Sequence, residues 1–152
     1  MKQWFLLIPL LGYSYLSMAG GDLAGSEFSG LNNYRQGYNM VAITGQHGSD
    51  NTASITQSGS HIYGSISQVG GYNNAILNQN GFNNRAAIAQ YGNGNNATVS
   101  QSGTNNSAVL VQAGTGNEAD ITQTGFDNSA EIVNKGVRNL TQINQTDRKS
   151  VV

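Results

Sequence analysis

The sequence has no cysteine, a single proline and few charged side chains. Charged residues make up 10% of the 152 residues, and the formal net charge is −1. Without cysteine, no disulfide can stabilise the protein, so its stability must come from another source. The low charge argues against charge-driven disorder, which needs a high net charge. A nearly neutral chain without a basic stripe also argues against nucleic-acid binding.

Glycine and small polar residues take the place of the missing types. The sequence contains 20 glycines, and its hydrophobic fraction is 38%. That fraction is below the value typical of globular proteins. Asn, Gln, Ser and Thr fill much of the remainder, and compositions of this kind tend to aggregate through β-structure.

The N-terminal segment has the parts of a secretory signal peptide. Lys2 gives a positive start, Phe5 to Leu16 form an apolar run, and Ala19 is a small residue suited to the cleavage site. The apolar run is shorter than the ~20 residues needed to span a bilayer. We therefore predict that residues 1–19 are removed, that the protein is secreted, and that the glycine-rich residues 20–40 form a flexible leader.

From residue 41 the sequence repeats itself without any insertion. The repeats are 41–62, 63–84, 85–106, 107–128 and 129–150, each 22 residues long. Each repeat contains two half-units of the form A-x-I-x-Q-x-G-x-x-N-x. A fixed period of this length is the signature of a repeat architecture.

Three positions of the half-unit form nearly uniform columns when the half-units are aligned. The glutamine column holds Gln46, Gln57, Gln68, Gln79, Gln90, Gln101, Gln112, Gln123 and Gln145. The glycine column holds Gly48, Gly59, Gly70, Gly81, Gly92, Gly103, Gly114, Gly125 and Gly136. The asparagine column includes Asn73, Asn95 and Asn117.

The spacing favours strands over helices. Eleven residues also make three helical turns, which is compatible with a right-handed coiled coil, but each helical glycine costs ~1 kcal/mol relative to alanine. The apolar pair instead sits at i and i+2, which places Ala, Ile and Gln on one face of a strand. Glycine supplies the positive φ of a turn, and asparagine tolerates similar geometry. We predict an all-β, cross-β-like, two-sheet β-solenoid of five strand-turn-strand repeats.

The glutamine column predicts a ladder between stacked repeats. A buried amide without a partner costs ~1–3 kcal/mol. In-register stacking gives each glutamine amide a partner above and below, as in cross-β assemblies. The terminal repeats would then expose unpaired backbone and amide groups, which native proteins usually protect. The first repeat has no obvious cap before it, so we expect growth by addition of like chains.

These repeats resemble the curlin repeats of bacterial curli amyloid fibres. The resemblance covers residues 41–150, and the segments DLAGSEF (Asp22 to Phe28) and AITGQHG (Ala42 to Gly48) resemble the minor, nucleating subunits of that family. It implies an extracellular subunit that nucleates polymerisation of the major curlin subunit in a cell-surface fimbrium, supporting adhesion and biofilm matrix. It also implies self-association into amyloid, export through an outer-membrane secretion pore and contact with accessory assembly factors.

The fifth repeat departs most from the pattern. Asn134 replaces Gln, Thr141 replaces Ala and Asp147 replaces Gly. Four cations gather there, namely Lys135, Arg138, Arg148 and Lys149. We interpret this repeat either as a contact with an anionic cell surface or as a solubilising end cap, and the two roles are compatible.

Other functions find less support in the sequence. No acidic or basic groups converge as a β-helix enzyme would need, so we expect no catalytic residues. His47 and His61 fall in different columns, so we expect no metal site and no cofactor. An ice-binding solenoid needs a flat array of one residue type, and the outward column from Thr56 to Asn144 is mixed. The main alternative is a major structural curlin subunit.

Overall fold

The computed structural model of the chain describes residues 4–7 and 40–146. The described residues contain eleven strands and no helix, so no helix among them could cross a membrane. The strands are β1 (Trp4–Leu7), β2 (Met40–Ser49), β3 (Thr52–Ser60), β4 (Ile62–Gly71), β5 (Asn74–Phe82), β6 (Arg85–Asn93), β7 (Asn96–Thr104), β8 (Ser107–Thr115), β9 (Glu118–Phe126), β10 (Ser129–Val137) and β11 (Leu140–Thr146).

The strands form two sheets whose members alternate along the chain. Sheet A has the order β1-β2-β4-β6-β8-β10, and sheet B has the order β11-β9-β7-β5-β3. From β2 onward all pairings are parallel and in register, so Gln68 lies beside Gln90 and Gln90 beside Gln112. The predicted two-sheet β-solenoid is therefore confirmed. We call its five strand pairs rung 1 (β2, β3), rung 2 (β4, β5), rung 3 (β6, β7), rung 4 (β8, β9) and rung 5 (β10, β11).

The core is the thin layer between the two sheets. Alternation along each strand turns Ala, the aliphatic residue and Gln inward, as the period of two predicts. In β6, for example, Ala86 and Ile88 are 0% and 2% exposed, whereas Arg85 and Tyr91 face solvent. Thr44, which breaks the aliphatic column, is only half-buried in β2.

The corners between strands are stacked as regularly as the strands. Backbone N–H groups of the turns donate to carbonyls of neighbouring rungs, as from Tyr63 to Asn84 and from Tyr72 to Ser49, at 2.9 and 3.1 Å. The inner rungs thus satisfy the hydrogen-bonding groups that a turn would otherwise leave to water. The predicted repeat boundaries fall in these corners. The first predicted repeat begins at residue 41, one residue after the start of β2 at Met40.

The turn chemistry differs in part from the sequence prediction. Every glycine of the column up to Gly136 has a positive φ, but it lies within a strand rather than in the turn. The left-handed turn residue comes two positions later, as at Asp50, Asn83 and Arg138, with φ of 55, 54 and 56°. The following asparagine does not adopt this conformation. The prediction assigned this geometry to the asparagine, whereas the residue before it adopts the left-handed conformation, even where that residue is Tyr72 or Arg138.

The predicted signal peptide and leader lie almost entirely outside the described residues. One exception is Met40, the last residue of the predicted leader, which begins β2 and is buried. The other is β1, which falls within the predicted signal peptide and pairs antiparallel with β2. Its register places Trp4 opposite Gln46 and Leu7 opposite Ile43.

Candidate functional site

Two glutamine ladders run along the solenoid, one in each sheet. In sheet B the Nε2 of each glutamine donates to the Oε1 of the next, at 2.7–2.9 Å, through Gln57, Gln79, Gln101, Gln123 and Gln145. In sheet A the same bonds, at 2.7–2.9 Å, join Gln46, Gln68, Gln90 and Gln112. Both ladders point the same way, because each amide donates toward the C-terminal rung.

From Gln57 to Gln145, the second N–H of each ladder amide crosses the core to the opposite sheet. Gln68 in β4 donates to the carbonyl of Thr52 in β3, and Gln90 in β6 donates to that of Asn74 in β5, both at 2.9 Å. Gln68 and Gln90 are 0% exposed, so these contacts supply the partners that burial demands. No pattern in the sequence predicted this cross-sheet contact, which ties the two sheets together along the solenoid.

Asparagine ladders line the corners. At the corner after sheet A, the side chains of Asn73, Asn95 and Asn117 each donate Nδ2 to the Oδ1 of the asparagine one rung earlier, at 3.0–3.1 Å. This direction is opposite to that of the glutamine ladders. The other corner starts differently, with the apolar Met40 and Ile62 buried where Asn stands in later rungs.

The glycine column is required by the distance between rungs. A Cβ built on Gly48, Gly70 or Gly92 would collide with the carbonyl of the glycine one rung later. The last glycine in sheet A, Gly136, has only the side chain of Asn139 near such a Cβ, at 3.6 Å. Glycine therefore allows neighbouring rungs to approach closely. It also permits the positive φ of 112–128° found along the column.

The sheet A ladder stops before the last rung. Asn134 is one methylene shorter than glutamine, and the Nε2 of Gln112 bonds only the carbonyl of Asn96, at 3.0 Å. The Oδ1 of Asn134 instead accepts the hydroxyl of Thr141, at 2.7 Å. Asn134 Nδ2 reaches the carbonyl of Glu118 at 3.4 Å. Two departures from the repeat, on opposite sheets, thus meet across the core of rung 5.

Charges and aromatic side chains lie outside the core. Lys135 and Arg138 are exposed on rung 5, whereas Arg148 and Lys149 lie outside the described residues. The guanidinium carbon of Arg85 lies 5.9 Å from the ring centre of Tyr63. Among the described residues no group of His, Asp or Glu side chains is arranged to hold a metal ion.

The two outer faces differ in character. Sheet A exposes larger apolar side chains, including Tyr63, Val69 and Tyr91. Sheet B carries a shallow open groove between two columns of short polar side chains, which are Thr56, Asn78, Ser100 and Thr122 in one column and Ser58, Asn80, Ser102 and Thr124 in the other. Because hydroxyl and amide groups alternate there, the groove is not a uniform array of one residue type.

Comparison with known families identifies the repeats. The family model described as the curlin associated repeat matches residues 62–92, 73–103, 92–125 and 103–136. The first and second matches start 11 residues apart, and so do the third and fourth, which is the length of one half-unit. No curated protein and no solved structure matched the chain. Together the four matches to this repeat model cover residues 62–136.

Proposed function

We propose that this chain is an extracellular subunit of a curli-type amyloid fibre, and that it nucleates polymerisation of a homologous major subunit at the cell surface. The observation that carries the proposal is the pair of parallel, in-register sheets with amide ladders, which join all five rungs in sheet B and rungs 1 to 4 in sheet A. The backbone and amide hydrogen bonds of each inner rung are completed by a rung on either side. Rung 1 therefore needs one more neighbouring rung to complete its own. Parallel in-register stacking with amide ladders is the arrangement of amyloid fibres.

The departures of rung 5 favour a nucleator over a major subunit. A fibre subunit that repeats thousands of times needs both ends to stack equally well. In this chain, Asn134 and Thr141 satisfy each other across the core, and Gln112 has no ladder partner ahead of it. Such an end suits a subunit that starts a fibre rather than one that fills it.

The exposed cations of rung 5 support a role in surface attachment. Lys135 and Arg138 lie on the last described rung, and Arg148 and Lys149 follow in the sequence. Clustered positive charge draws a protein toward anionic surfaces. Export through the outer-membrane secretion pore and contact with accessory assembly factors are parts of the same proposal, and they rest on the family alone.

The position of the chain in native fibres tests the nucleator role. Gold-labelled antibody against a tag inserted in the leader, at residues 20–40, would be imaged on cells that assemble fibres. We expect sparse label at the cell-proximal ends of fibres. Label at regular intervals along whole fibres would instead identify a major subunit.

A further inference from the structure

We propose that the solenoid is a one-ended template. The edge of rung 1, formed by β2 and β3, recruits the last rung of a homologous repeat chain, while rung 5 stacks poorly on a second copy of this chain. The inference rests on the proposed nucleating function and adds which end of the nucleus is active. It also explains how the chain starts a fibre without becoming one.

The direction of the glutamine ladders defines what rung 1 lacks. The ladder bonds all run from the Nε2 of one rung to the Oε1 of the next, so the Oε1 atoms of Gln46 and Gln57 are the ladder acceptors left at the start. No glutamine among residues 40–146 donates to either oxygen. A preceding rung with glutamine at both positions would supply both donors. The partner is therefore a curlin-type chain whose last rung has glutamine in each strand.

The outer edge of β2 can accept a strand. In this structure β1 occupies that edge with an antiparallel pairing over Ile43–Gln46. β1 lies within residues 1–19, the segment predicted to be removed as a signal peptide. Removal of β1 would leave the backbone N–H and C=O groups of β2 unpaired at its outer edge. The Oε1 acceptors of Gln46 and Gln57 lie at the same end of the solenoid.

Rung 5 is built differently from the other four. The Oδ1 of Asn134, which should receive the ladder bond from Gln112, receives the Thr141 hydroxyl at 2.7 Å. The side chain of Asn134 donates to the carbonyl of Glu118 at 3.4 Å, which is the cross-sheet bond that Gln112 makes to Asn96. A second copy stacked on rung 5 would bring Gln46 to this position, where it would meet an amide one methylene shorter than a ladder glutamine. Sheet A would then lose its ladder at the junction.

The glycine column adds a steric requirement at the same end. A side chain on any inner glycine would strike the carbonyl of the next rung, as shown for Gly81 and Gly103. Another chain can therefore stack beyond rung 5 only if rung 5 itself has glycine at the last position of the sheet B column. The sequence has Asp147 at that position, just beyond the described residues. Head-to-tail stacking of two copies places rung 5 against rung 1, so these departures act at every such junction.

Self-assembly of the secreted chain tests the closed end. The chain starting at residue 20 would be compared with the variant Asn134→Gln/Thr141→Ala by thioflavin T fluorescence at equal concentration. We expect the variant, which restores the repeat, to shorten the lag at least threefold. The matched control is Asn144→Gln/Thr146→Ala, which makes the same chemical changes on the exposed face of β11. Equal lags for all three chains would overturn the proposal.

Seeding of a monomeric curlin-type major subunit tests the open end. We expect the rung 1 variant Gln46→Asn/Gln57→Asn to seed at least threefold more slowly than the unaltered chain, and Asn134→Gln/Thr141→Ala to seed equally well. Equal seeding by the rung 1 variant would overturn the one-ended template but leave nucleation standing. No seeding by the unaltered chain would remove the proposed function itself. The self-assembly comparison needs only rung 5 substitutions, so it decides the proposal even if the rung 1 variant does not fold.

Discussion

Gly64 in β4 faces Leu77 in β5 across the core, and the two residues depart from the repeat together. A Cβ on Gly64 would lie 2.9 Å from the Leu77 Cδ2 and 2.8 Å from amide atoms of Gln57 and Gln79. The other sheet A strands have alanine at this position, and the other sheet B strands have isoleucine or valine opposite. Leucine branches one carbon further from the backbone than isoleucine or valine, so the Cδ2 of Leu77 reaches the space that a Cβ on Gly64 would occupy. Close packing in a thin core makes such compensation necessary.

This pairing predicts non-additive effects in a double-mutant cycle. Gly64→Ala alone should destabilise the solenoid by about 1–3 kcal/mol, because it overpacks the core. Adding Leu77→Val should recover part of that loss, since the shorter side chain vacates the contact. The cycle would be measured by urea unfolding of soluble chain or urea dissociation of assembled material. Strictly additive free energies would contradict the packing account.

The amide ladder predicts that inward and outward positions respond differently. Gln101 bonds Gln79, Gln123 and the carbonyl of Arg85, so Gln101→Ala leaves buried groups unpaired at about 1–3 kcal/mol each. The adjacent outward residue is the control, and Ser100→Ala should change stability by less than about 0.5 kcal/mol. Elongation rate and urea dissociation midpoint would be compared for both variants. A similar effect of the two would show that the ladder contributes little.

The glycine column predicts a sharp difference between two nearby glycines. Gly92→Ala should block or greatly slow assembly, because its Cβ would strike the Gly114 carbonyl. Gly94 has φ of +63° and open space around its Cβ position, and asparagine tolerates that conformation. Gly94→Asn should therefore assemble like the unaltered chain. Thioflavin T kinetics of both variants would decide, and normal assembly by Gly92→Ala would contradict the steric requirement.

The basic patch predicts charge-dependent surface binding. Replacing Lys135 and Arg138 with glutamine should weaken binding to anionic lipid vesicles about thirtyfold, because each exposed cation near such a surface contributes about 1 kcal/mol. Seeding should be unchanged, since both side chains point outward. Arg85→Gln, which removes an outward cation from rung 3, is the control. Vesicle sedimentation at low and high salt measures the effect, and equal loss in the control would contradict a local patch.

Much of the fold could be predicted from the sequence because one local rule recurs ten times. The period of two fixes which side chains point inward, and the 22-residue period fixes which of them stack. Gln68 and Gln90 could be placed beside each other for these reasons. The cross-sheet bond from Gln68 to Thr52 could not, since it joins positions 16 residues apart with no repeated residue type at the acceptor.

The exceptions to the repeat were visible in the sequence, but their pairing was not. Asn134 and Thr141 each break a column, yet they belong to different sheets, and only the closed coil brings them to 2.7 Å. Gly64 and Leu77 are related in the same way across the core. When two residues of one rung both differ from the repeat consensus, they are therefore candidates for side chains that contact and compensate each other.

Seeding of a homologous major subunit is the most direct test of the central claim. The secreted chain, from residue 20 onward, would be added at about one part in a hundred to monomeric major subunit, and thioflavin T fluorescence followed. The rigid in-register edge should replace the slow first step of fibre formation, so we predict that the lag phase disappears. A scrambled-repeat chain of the same composition is the control. An unchanged lag with the native sequence would contradict the nucleator account.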